Sequence, residues 1–453
     1  MNLNHAQEAL SQAKNYYHKI KDINYPADLK PSDLWLENLR ERLQPNLVNN
    51  NSLELFHSII ESDFFTYGRK VKNFLYAPVN YAFSSYFKKQ ASAQALNDLF
   101  LQESSLCSPK MSEVVSGKAK SHTFLWHFSI YDKIVRQIDC SKLQILELGG
   151  GYGGLARVFK LGKPGVTYWI LDLHESLFYS LFYLKCNFPN ARFALVSNQK
   201  ELEQAFSERH NLDFVFVPMG LTEQFSRITK PDFDLLINTA SLGEMQQNAV
   251  NCYLELIQNT LNVKYFYSVN RFCDPYAQCD CSTPLDSLWK IHLWKLYGED
   301  SYTQIDPAWP LYLEFFAERI SKEVFQDSYR EFISQNCLQS ANRILKRRKF
   351  HPAAWPYIIL NCLLLSPKRI PSRVLSYSNN SLLSRICRKL TTIYPYFAVW
   401  FYSSKWVYLM WESVRLHPNQ DNLPVYLNYL QNQKARECNY YIELASKLKI
   451  KVK

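Results

Sequence analysis

The chain has 453 residues, of which 47% are hydrophobic and 15% aromatic, and this composition excludes a globally disordered protein. The first residues contain no apolar signal core, and the longest apolar runs are too short to span a bilayer. Eleven scattered cysteines, an odd number, favour a reducing compartment, so the sequence predicts a cytoplasmic protein.

The net charge of +11 is unevenly distributed along the chain. Residues 323–453 contain 20 Lys and Arg against 7 Asp and Glu, so this part carries +13 and residues 1–322 carry −2. We therefore predict three regions: a helical N-terminal region over 1–120, an α/β domain over 121–322 and a basic all-helical C-terminal domain over 323–453.

The pattern of apolar residues predicts the elements in chain order. Amphipathic helices are expected in the N-terminal region, a turn-like flexible loop or lid over 105–120, and a helix from an N-cap at Ser121. Strands and helices then alternate, which predicts a Rossmann-like, doubly wound and mostly parallel sheet. The predicted strands are QILEL, TYWILD, RFALVS, DFVFVP, FDLLIN and YFYSVN, with a final strand in WPLYLEFFAERI near 309–320.

A glycine-rich loop follows the first of these strands. Five of the 12 glycines of the chain lie within six positions, at Gly149, Gly150, Gly151, Gly153 and Gly154. Glycine permits positive φ and close approach of the backbone to a ligand, and the following helix N-terminus offers unpaired N–H groups. The loop therefore predicts a nucleotide-like ligand, although a tight structural turn is the alternative.

Two ligands compete for this loop. Gly149, Gly151 and Gly154 fit the dinucleotide pattern G-x-G-x-x-G, whereas Glu147, Gly149, Gly151 and Gly153 fit E-x-G-x-G-x-G, the pattern of class I methyltransferases that bind S-adenosylmethionine. A carboxylate at Glu147 would repel a pyrophosphate but would favour the ammonium and sulfonium of S-adenosylmethionine. The loop has no Lys, so it is not a P-loop. The carboxylate favours S-adenosylmethionine.

Asp172 ends the next predicted strand, roughly 20 residues beyond the loop. An acid at this place hydrogen-bonds ribose hydroxyls in nucleoside-binding α/β folds. The alternative is a helix N-cap, because DLHES precedes the next predicted helix.

Metal chemistry has one candidate cluster, Cys273, Cys279 and Cys281. Zinc would require a fourth ligand and usually C-x-x-C spacing, so free thiols in a loop are the simpler interpretation and no metal site is predicted.

Polar residues end two later strands, where ligands bind in open α/β sheets. The segment INTASLGEM places Asn238, Ser241 and Glu244 at one end, and YSVNR places Asn270 and Arg271 at another. A hydroxyl acceptor usually needs a base. Glu244 is the best-located acid for that role, and a helix N-terminal charge is its alternative. Arg271 suits an anionic substrate group or forms an internal salt bridge, while His292 and His174 are weaker base candidates expected at the surface.

Taken together, ELGGGYGGLAR, LDLHESL, INTASLGEM and YSVNR resemble the bacterial sugar O-methyltransferase family, over roughly residues 105–320. The resemblance implies a class I fold, S-adenosylmethionine as the cofactor and methylation of a sugar hydroxyl in surface polysaccharide biosynthesis. It does not extend to the cysteine-bearing loop 272–284 or to the C-terminal domain.

By matching position, the resemblance implies that Glu147, Gly149, Gly151 and Gly153 contact the methionine of the cofactor and that Asp172 binds its ribose; Gly150 also belongs to the predicted cofactor set. The adenine contact stays open between Ser197 with Asn198 and Pro218 with Met219. Met219 and Asn238 complete the predicted cofactor set, and Glu244, Asn270, Arg271 and His292 form the predicted catalytic set.

Other functions compete with this interpretation. One is a non-catalytic protein of the same fold that binds a partner, and another is methylation of a small molecule or lipid. The basic C-terminal domain is either a solvated helical bundle or a surface for anionic membranes, where each basic residue can contribute about 1 kcal/mol. It carries no nucleic-acid motif, so nucleic acid is not an expected partner.

Overall fold

The computed structural model describes residues 3–32, 35–36, 39–44, 47, 104, 112–115, 118–139, 141–271, 294–296, 304–305 and 312–319, with isolated positions at 424, 427, 442, 445 and 446. The chain divides into two compact units, one formed by Met1–Leu242 with Asn248–Ser268 and one by Gly243–Gln247 with Val269–Lys453. The cysteine-bearing loop and almost all of the basic C-terminal domain lie outside the described residues, so both predictions remain predictions.

The described N-terminal part begins with helix α1 (Leu3–Ile20), followed by a 3-10 turn (Ala27–Leu29) and a π-helical turn (Leu39–Leu43). The expectation of a flexible loop over 105–120 was wrong for its second half. Strands β1 (Ser112–Val115) and β2 (Lys118–Ser121) form an antiparallel hairpin there, because Val114 and Val115 favour strands and the two segments pair through their backbones. Helix α2 (His122–Val135) starts directly after Ser121, as predicted.

The α/β region alternates as the apolar runs predict. The strands of the first unit are β3 (Gln144–Leu148), β4 (Thr167–Asp172), β5 (Phe193–Leu195), β6 (Phe214–Pro218), β7 (Asp232–Thr239) and β8 (Asn262–Arg271), whose last residues belong to the second unit. The helices between them are α3 (Gly154–Gly162), α4 (His174–Asn187), α5 (Gln199–Glu208) and α6 (Gln247–Glu255).

The sheet order in this part is β8–β7–β3–β4–β6–β5. β3 pairs in parallel with β7 and β4, and β6 pairs in parallel with β4 and β5. The chain therefore leaves β3 in one direction and returns on its other side, which places a topological switch point at the carboxyl end of β3. The predicted Rossmann-like fold is confirmed for this region.

Burial explains why the residues of β3 and β4 are mostly apolar. Every residue of both strands is buried, as expected for a parallel sheet covered by helices on both faces. Helix α4 is unusual because all residues from His174 to Leu184 are buried. One side of α4 faces the sheet, and α1 packs against it as well.

In the second unit, β11 (Tyr312–Arg319) pairs antiparallel with both β9 (Trp294–Leu296) and β10 (Gln304–Ile305). β11 is the predicted final strand. Among the helices that the structure describes, none has the length and apolar character to cross a membrane.

Candidate functional site

The glycine-rich loop connects β3 to α3 and depends on left-handed backbone at three positions. Gly149, Gly151 and Gly153 have φ of 75°, 57° and 84°, a region that residues with a Cβ rarely adopt. The Gly149 N–H donates to the Leu171 carbonyl at 2.9 Å, which holds the start of the loop against the end of β4. The predicted turn is therefore a backbone segment with left-handed glycines that leads directly into α3.

Neighbouring atoms leave no space for a side chain at Gly149 or Gly150. A Cβ added to Gly149 would overlap the Ser241 side chain, and one added to Gly150 would lie 2.8 Å from Ile170 Cγ2 and 3.1 Å from Glu147 Oε2. These glycines bring bare backbone close to the Glu147 carboxylate and to the segment after β7.

Glu147 is a buried acid beneath this loop. Its Oε2 accepts a hydrogen bond of 2.9 Å from the Tyr168 hydroxyl on the neighbouring strand. Burial raises the pKa of the Glu147 carboxyl to about 8; the Tyr168 hydrogen bond lowers it in part and the charge of Asp172 raises it further. A positively charged ligand group near this acid would favour its ionised form.

Asp172 lies at the end of β4, beside the loop. Its Oδ2 accepts the Gly151 N–H at 2.7 Å and its Oδ1 accepts the Leu173 N–H at 2.6 Å. Burial raises the pKa of Asp172 to about 7 although both N–H groups lower it. A carboxylate has about four acceptor positions, so Asp172 can shape the loop and still accept from a ligand hydroxyl.

Asn238, near the end of β7, connects the end of β3 to the segment that follows β7. Its fully buried side chain donates to the Leu148 carbonyl at 2.8 Å and accepts from the Leu242 N–H at 3.2 Å. Ala240 then takes a left-handed conformation with φ of 55°, which is costly for a residue with a Cβ. This turn places Ser241 against Gly149, so the Asn238 amide positions the backbone on that side of the loop.

The structure separates the two candidate adenine positions. Asn198 caps α5 by accepting the Glu201 N–H at 3.0 Å, and the Ser197 hydroxyl donates to Glu201 at 2.8 Å. Pro218, in contrast, is paired in register with Asp172, and Met219 follows it as a buried side chain. The end of β6 therefore lies beside the predicted ribose site, whereas β5 is one strand further away.

The predicted catalytic residues are only partly described. Glu244 ends the 3-10 turn Leu242–Glu244 as a half-buried residue, three positions before α6 begins. Asn270 is buried on β8, and Arg271 is the last residue of that strand. His292 lies outside the described residues. Glu244, Asn270 and Arg271 belong to the second unit, so their catalytic roles remain predictions.

His174 was expected at the surface, and this expectation was wrong. Its side chain is 3% exposed and stacks on Tyr25 with ring centroids 4.7 Å apart and planes inclined by 12°. Burial lowers the pKa of His174 to about 4. The residues that cover it lie about 150 positions away in the sequence, which is why local pattern gave no sign of it.

Sequence analysis also missed His127 and Tyr152, which lie on the other side of the loop. A Cβ added to Gly154 would be 2.6 Å from His127 Nδ1 and 2.5 Å from the Tyr152 hydroxyl oxygen. His127 is buried, its Nδ1 has no hydrogen-bond partner among the described residues, and burial lowers its pKa to about 3. A histidine in an apolar helix carries no local signal that would reveal this position.

No protein-family model matches the chain, and no curated protein matches it. Solved structures with low sequence identity do match. The glycopeptide N-methyltransferase MtfA is 10% identical, with 42% of this chain and 89% of that chain covered and a TM-score of 0.27. A Pyrococcus horikoshii protein assigned as an RNA methyltransferase is 9% identical, with 47% and 87% covered and a TM-score of 0.28.

The pyocyanin biosynthetic protein PhzM is 13% identical, with 55% of this chain and 70% of that chain covered and a TM-score of 0.27. MtfA has also been solved in complex with S-adenosylmethionine, the cofactor predicted here from the sequence. With scores this low, none of these likenesses carries weight for function.

Proposed function

We propose that this protein is an S-adenosylmethionine-dependent methyltransferase that acts on a sugar hydroxyl in bacterial surface polysaccharide biosynthesis. The observation that carries the proposal is the switch point of the sheet. The left-handed Gly149 and Gly151, with Gly150 between them, present partly exposed backbone beside the buried acid Glu147, and Asp172 occupies the end of the adjacent parallel strand.

The residues at this point fit S-adenosylmethionine better than a dinucleotide. A pyrophosphate at the loop would lie near Glu147, which can only repel it when ionised, whereas an ammonium or sulfonium stabilises the ionised acid. The loop backbone and Glu147 would hold the methionyl part, Asp172 the ribose, and the start of the segment after β6 the adenine. When bound, this cofactor supplies an electrophilic methyl group.

The protein's own contribution to the reaction is orientation and proton removal. The buried Asn238 amide and the strained turn at Ala240 fix the loop wall, so a bound molecule meets a preorganised surface rather than a mobile one. We assign Glu244 the role of base and Arg271 the binding of an anionic sugar. The choice of a sugar hydroxyl rests on the segments INTASLGEM and YSVNR, which resemble the sugar O-methyltransferase family.

Calorimetry of the full chain tests the cofactor. We expect heat of binding and a thermal shift with S-adenosylmethionine and neither with NAD⁺. No heat and no shift at millimolar S-adenosylmethionine would refute the enzyme proposal. Mass spectrometry of surface glycans from cells with and without the gene then tests the substrate, because a sugar methyltransferase leaves a difference of one methylene mass.

A further inference from the structure

A segment near the start of the chain crosses the carboxyl edge of the sheet. We call residues 20–29, between the end of α1 and the end of the following 3-10 turn, the N-terminal strap. Tyr25 in the strap stacks on the His174 ring, with ring centroids 4.7 Å apart and planes inclined by 12°. His174 follows the end of β4 by two residues, so the strap lies next to Asp172.

A second contact fixes the strap beside β6. A Cβ added to Gly220 would be 2.7 Å from both the Asn24 carbonyl oxygen and the Ile23 side chain, so this glycine is needed for the close approach. Gly220 directly follows Met219 and lies two residues after the end of β6. The strap therefore touches the ends of two neighbouring parallel strands, on the side where the cofactor set is predicted.

Helix α1 anchors the strap from its N-terminal end. Its buried residues follow helical spacing and form one apolar stripe, at Ala6, Ala9, Ala13, Tyr16 and Ile20. The buried Tyr16 hydroxyl is 2.8 Å from the Val196 carbonyl and 3.0 Å from the Phe216 carbonyl, and can donate to either. Val196 directly follows β5, so α1 is held at the same edge of the sheet.

The closed strap leaves polar atoms without partners. Within the described part of the chain, His174 Nε2 and Glu175 Oε2 are buried and make no hydrogen bond. An unpaired buried polar atom is costly, and water or a polar ligand relieves that cost. His174 and Glu175 lie in the first turn of α4, two and three positions after Asp172, and the other Glu175 oxygen, Oε1, accepts from Tyr17 and Gln44.

We infer that the N-terminal strap closes the nucleoside end of the cofactor site, with Tyr25 as a positioning residue that holds it shut. The inference rests on the proposed function, since it assigns the strap to the S-adenosylmethionine site. It also gives the N-terminal region a role in cofactor binding, which its sequence did not suggest.

Calorimetry of full-length variants with S-adenosylmethionine tests the inference. Tyr25→Ala removes the ring that stacks on His174 and should weaken binding by about three- to tenfold. Tyr25→Phe keeps the ring and should bind nearly as the wild type does. His18→Ala, which truncates an exposed ring on α1, is the matched control and should leave affinity unchanged.

Hydrogen exchange of the wild-type chain gives a readout that does not depend on the folding of any variant. Amides of residues 20–29 should exchange more slowly when S-adenosylmethionine is added. Unchanged exchange in the strap, or wild-type affinity in a folded Tyr25→Ala variant, would overturn the inference alone. Absence of S-adenosylmethionine binding by the wild-type chain would overturn the proposed function and this inference with it.

Discussion

Single residues at the switch point combine burial with ionisable chemistry. Glu147 and Asp172 both lie inside the protein, and burial raises the pKa values of their carboxyls to about 8 and about 7. His127 and His174 show the opposite direction, because burial disfavours their charged form and lowers their pKa values. The two acids therefore lower the stability of the folded protein as the pH rises, and the two histidines lower it as the pH falls.

The Glu147 linkage predicts a pH-dependent stability. A carboxyl with a raised pKa binds its proton more tightly in the folded state, so its contribution is complete below about pH 4.5 and is lost as pH rises to about 8. Relative to Glu147→Gln, the wild type should lose free energy of unfolding by at most about 1.4 kcal/mol per pH unit in this window. Urea unfolding between pH 4.5 and pH 8 measures the difference.

The exposed Glu203 provides a matched control for this comparison, since Glu203→Gln removes a carboxyl at the surface of α5. Its stability should run parallel to that of the wild type across the window. Parallel profiles for Glu147→Gln as well would show that Glu147 is not protonated more tightly in the folded protein.

Asp172 should contribute to both the loop and the ligand. Asp172→Ala removes the acceptor of the Gly151 and Leu173 N–H groups together with the proposed ribose contact. We expect a loss of about 1.5–3 kcal/mol in S-adenosylmethionine binding, because the lost hydrogen bonds are charge-assisted. Calorimetry of a variant with a native circular dichroism spectrum measures this; unchanged affinity would leave Asp172 with a structural role only.

The proposed base can be separated from the cofactor site. Glu244→Gln keeps the size of the side chain and removes its basicity, so S-adenosylmethionine affinity should persist while turnover falls by roughly 10²–10⁴. Steady-state kinetics with the unmethylated form of the sugar that glycan analysis identifies measures the change. Full turnover in this variant would assign proton removal to another group or show that orientation of the substrate suffices.

At the scale of elements, α1 is part of the α/β fold although it precedes β3 by more than a hundred residues. Its buried stripe meets α4, and the Tyr16 hydroxyl reaches the carbonyl oxygens of Val196, which directly follows β5, and of Phe216 within β6. A helix that covers α4 on its outer side explains why α4 is buried along most of its length rather than on one face.

The Tyr16 contact predicts a measurable stability effect. Tyr16→Phe keeps the ring and removes the hydroxyl donor of the Val196 carbonyl, while the Phe216 carbonyl still accepts the Val196 N–H, so the free energy of unfolding should fall by about 1–2 kcal/mol. Tyr17→Phe is the matched control on the same helix, since its hydroxyl makes only a 3.5 Å contact with Glu175 in a part-buried position. Equal losses in the two variants would contradict a specific anchoring role for Tyr16.

At the scale of the whole molecule, the charge of the chain is concentrated in residues 323–453. Lipid-linked glycan precursors lie at membranes with a negative surface potential, which attracts basic protein segments. A methyltransferase for such precursors would gain from a basic domain that keeps it near its substrate. The sequence segment ANRILKRRKFHP, with five basic residues, is the densest part of this charge.

Vesicle sedimentation tests that role. The full chain should sediment with anionic vesicles at low salt and be released at high salt, because the attraction is electrostatic. It should not sediment with neutral vesicles, and removal of residues 323–453 should abolish binding. Equal partitioning to both kinds of vesicle, or none to either at low salt, would leave the domain as a scaffold or a partner-binding surface.

The sequence by itself determined the elements of the α/β region and the chemistry of its loop. Buried parallel strands are short, mostly apolar runs, so QILEL and TYWILD could be placed to the residue. The glycines between Gly149 and Gly153 and the acids at the two strand ends are local signals, because a left-handed turn and a strand-end carboxylate depend on residues close in sequence.

Only the tertiary structure decided which distant parts complete the site. Three contacts join residues that are tens to more than a hundred positions apart. They are the stacking of Tyr25 on His174, the hydrogen bond from Asn238 to the end of β3 and the pairing of Pro218 with Asp172. Such contacts follow from how helices and strands pack, and no spacing along the chain encodes them. The docking of α1 at the carboxyl edge of the sheet is the clearest case, since an amphipathic helix shows that one face will be buried but not which surface will bury it.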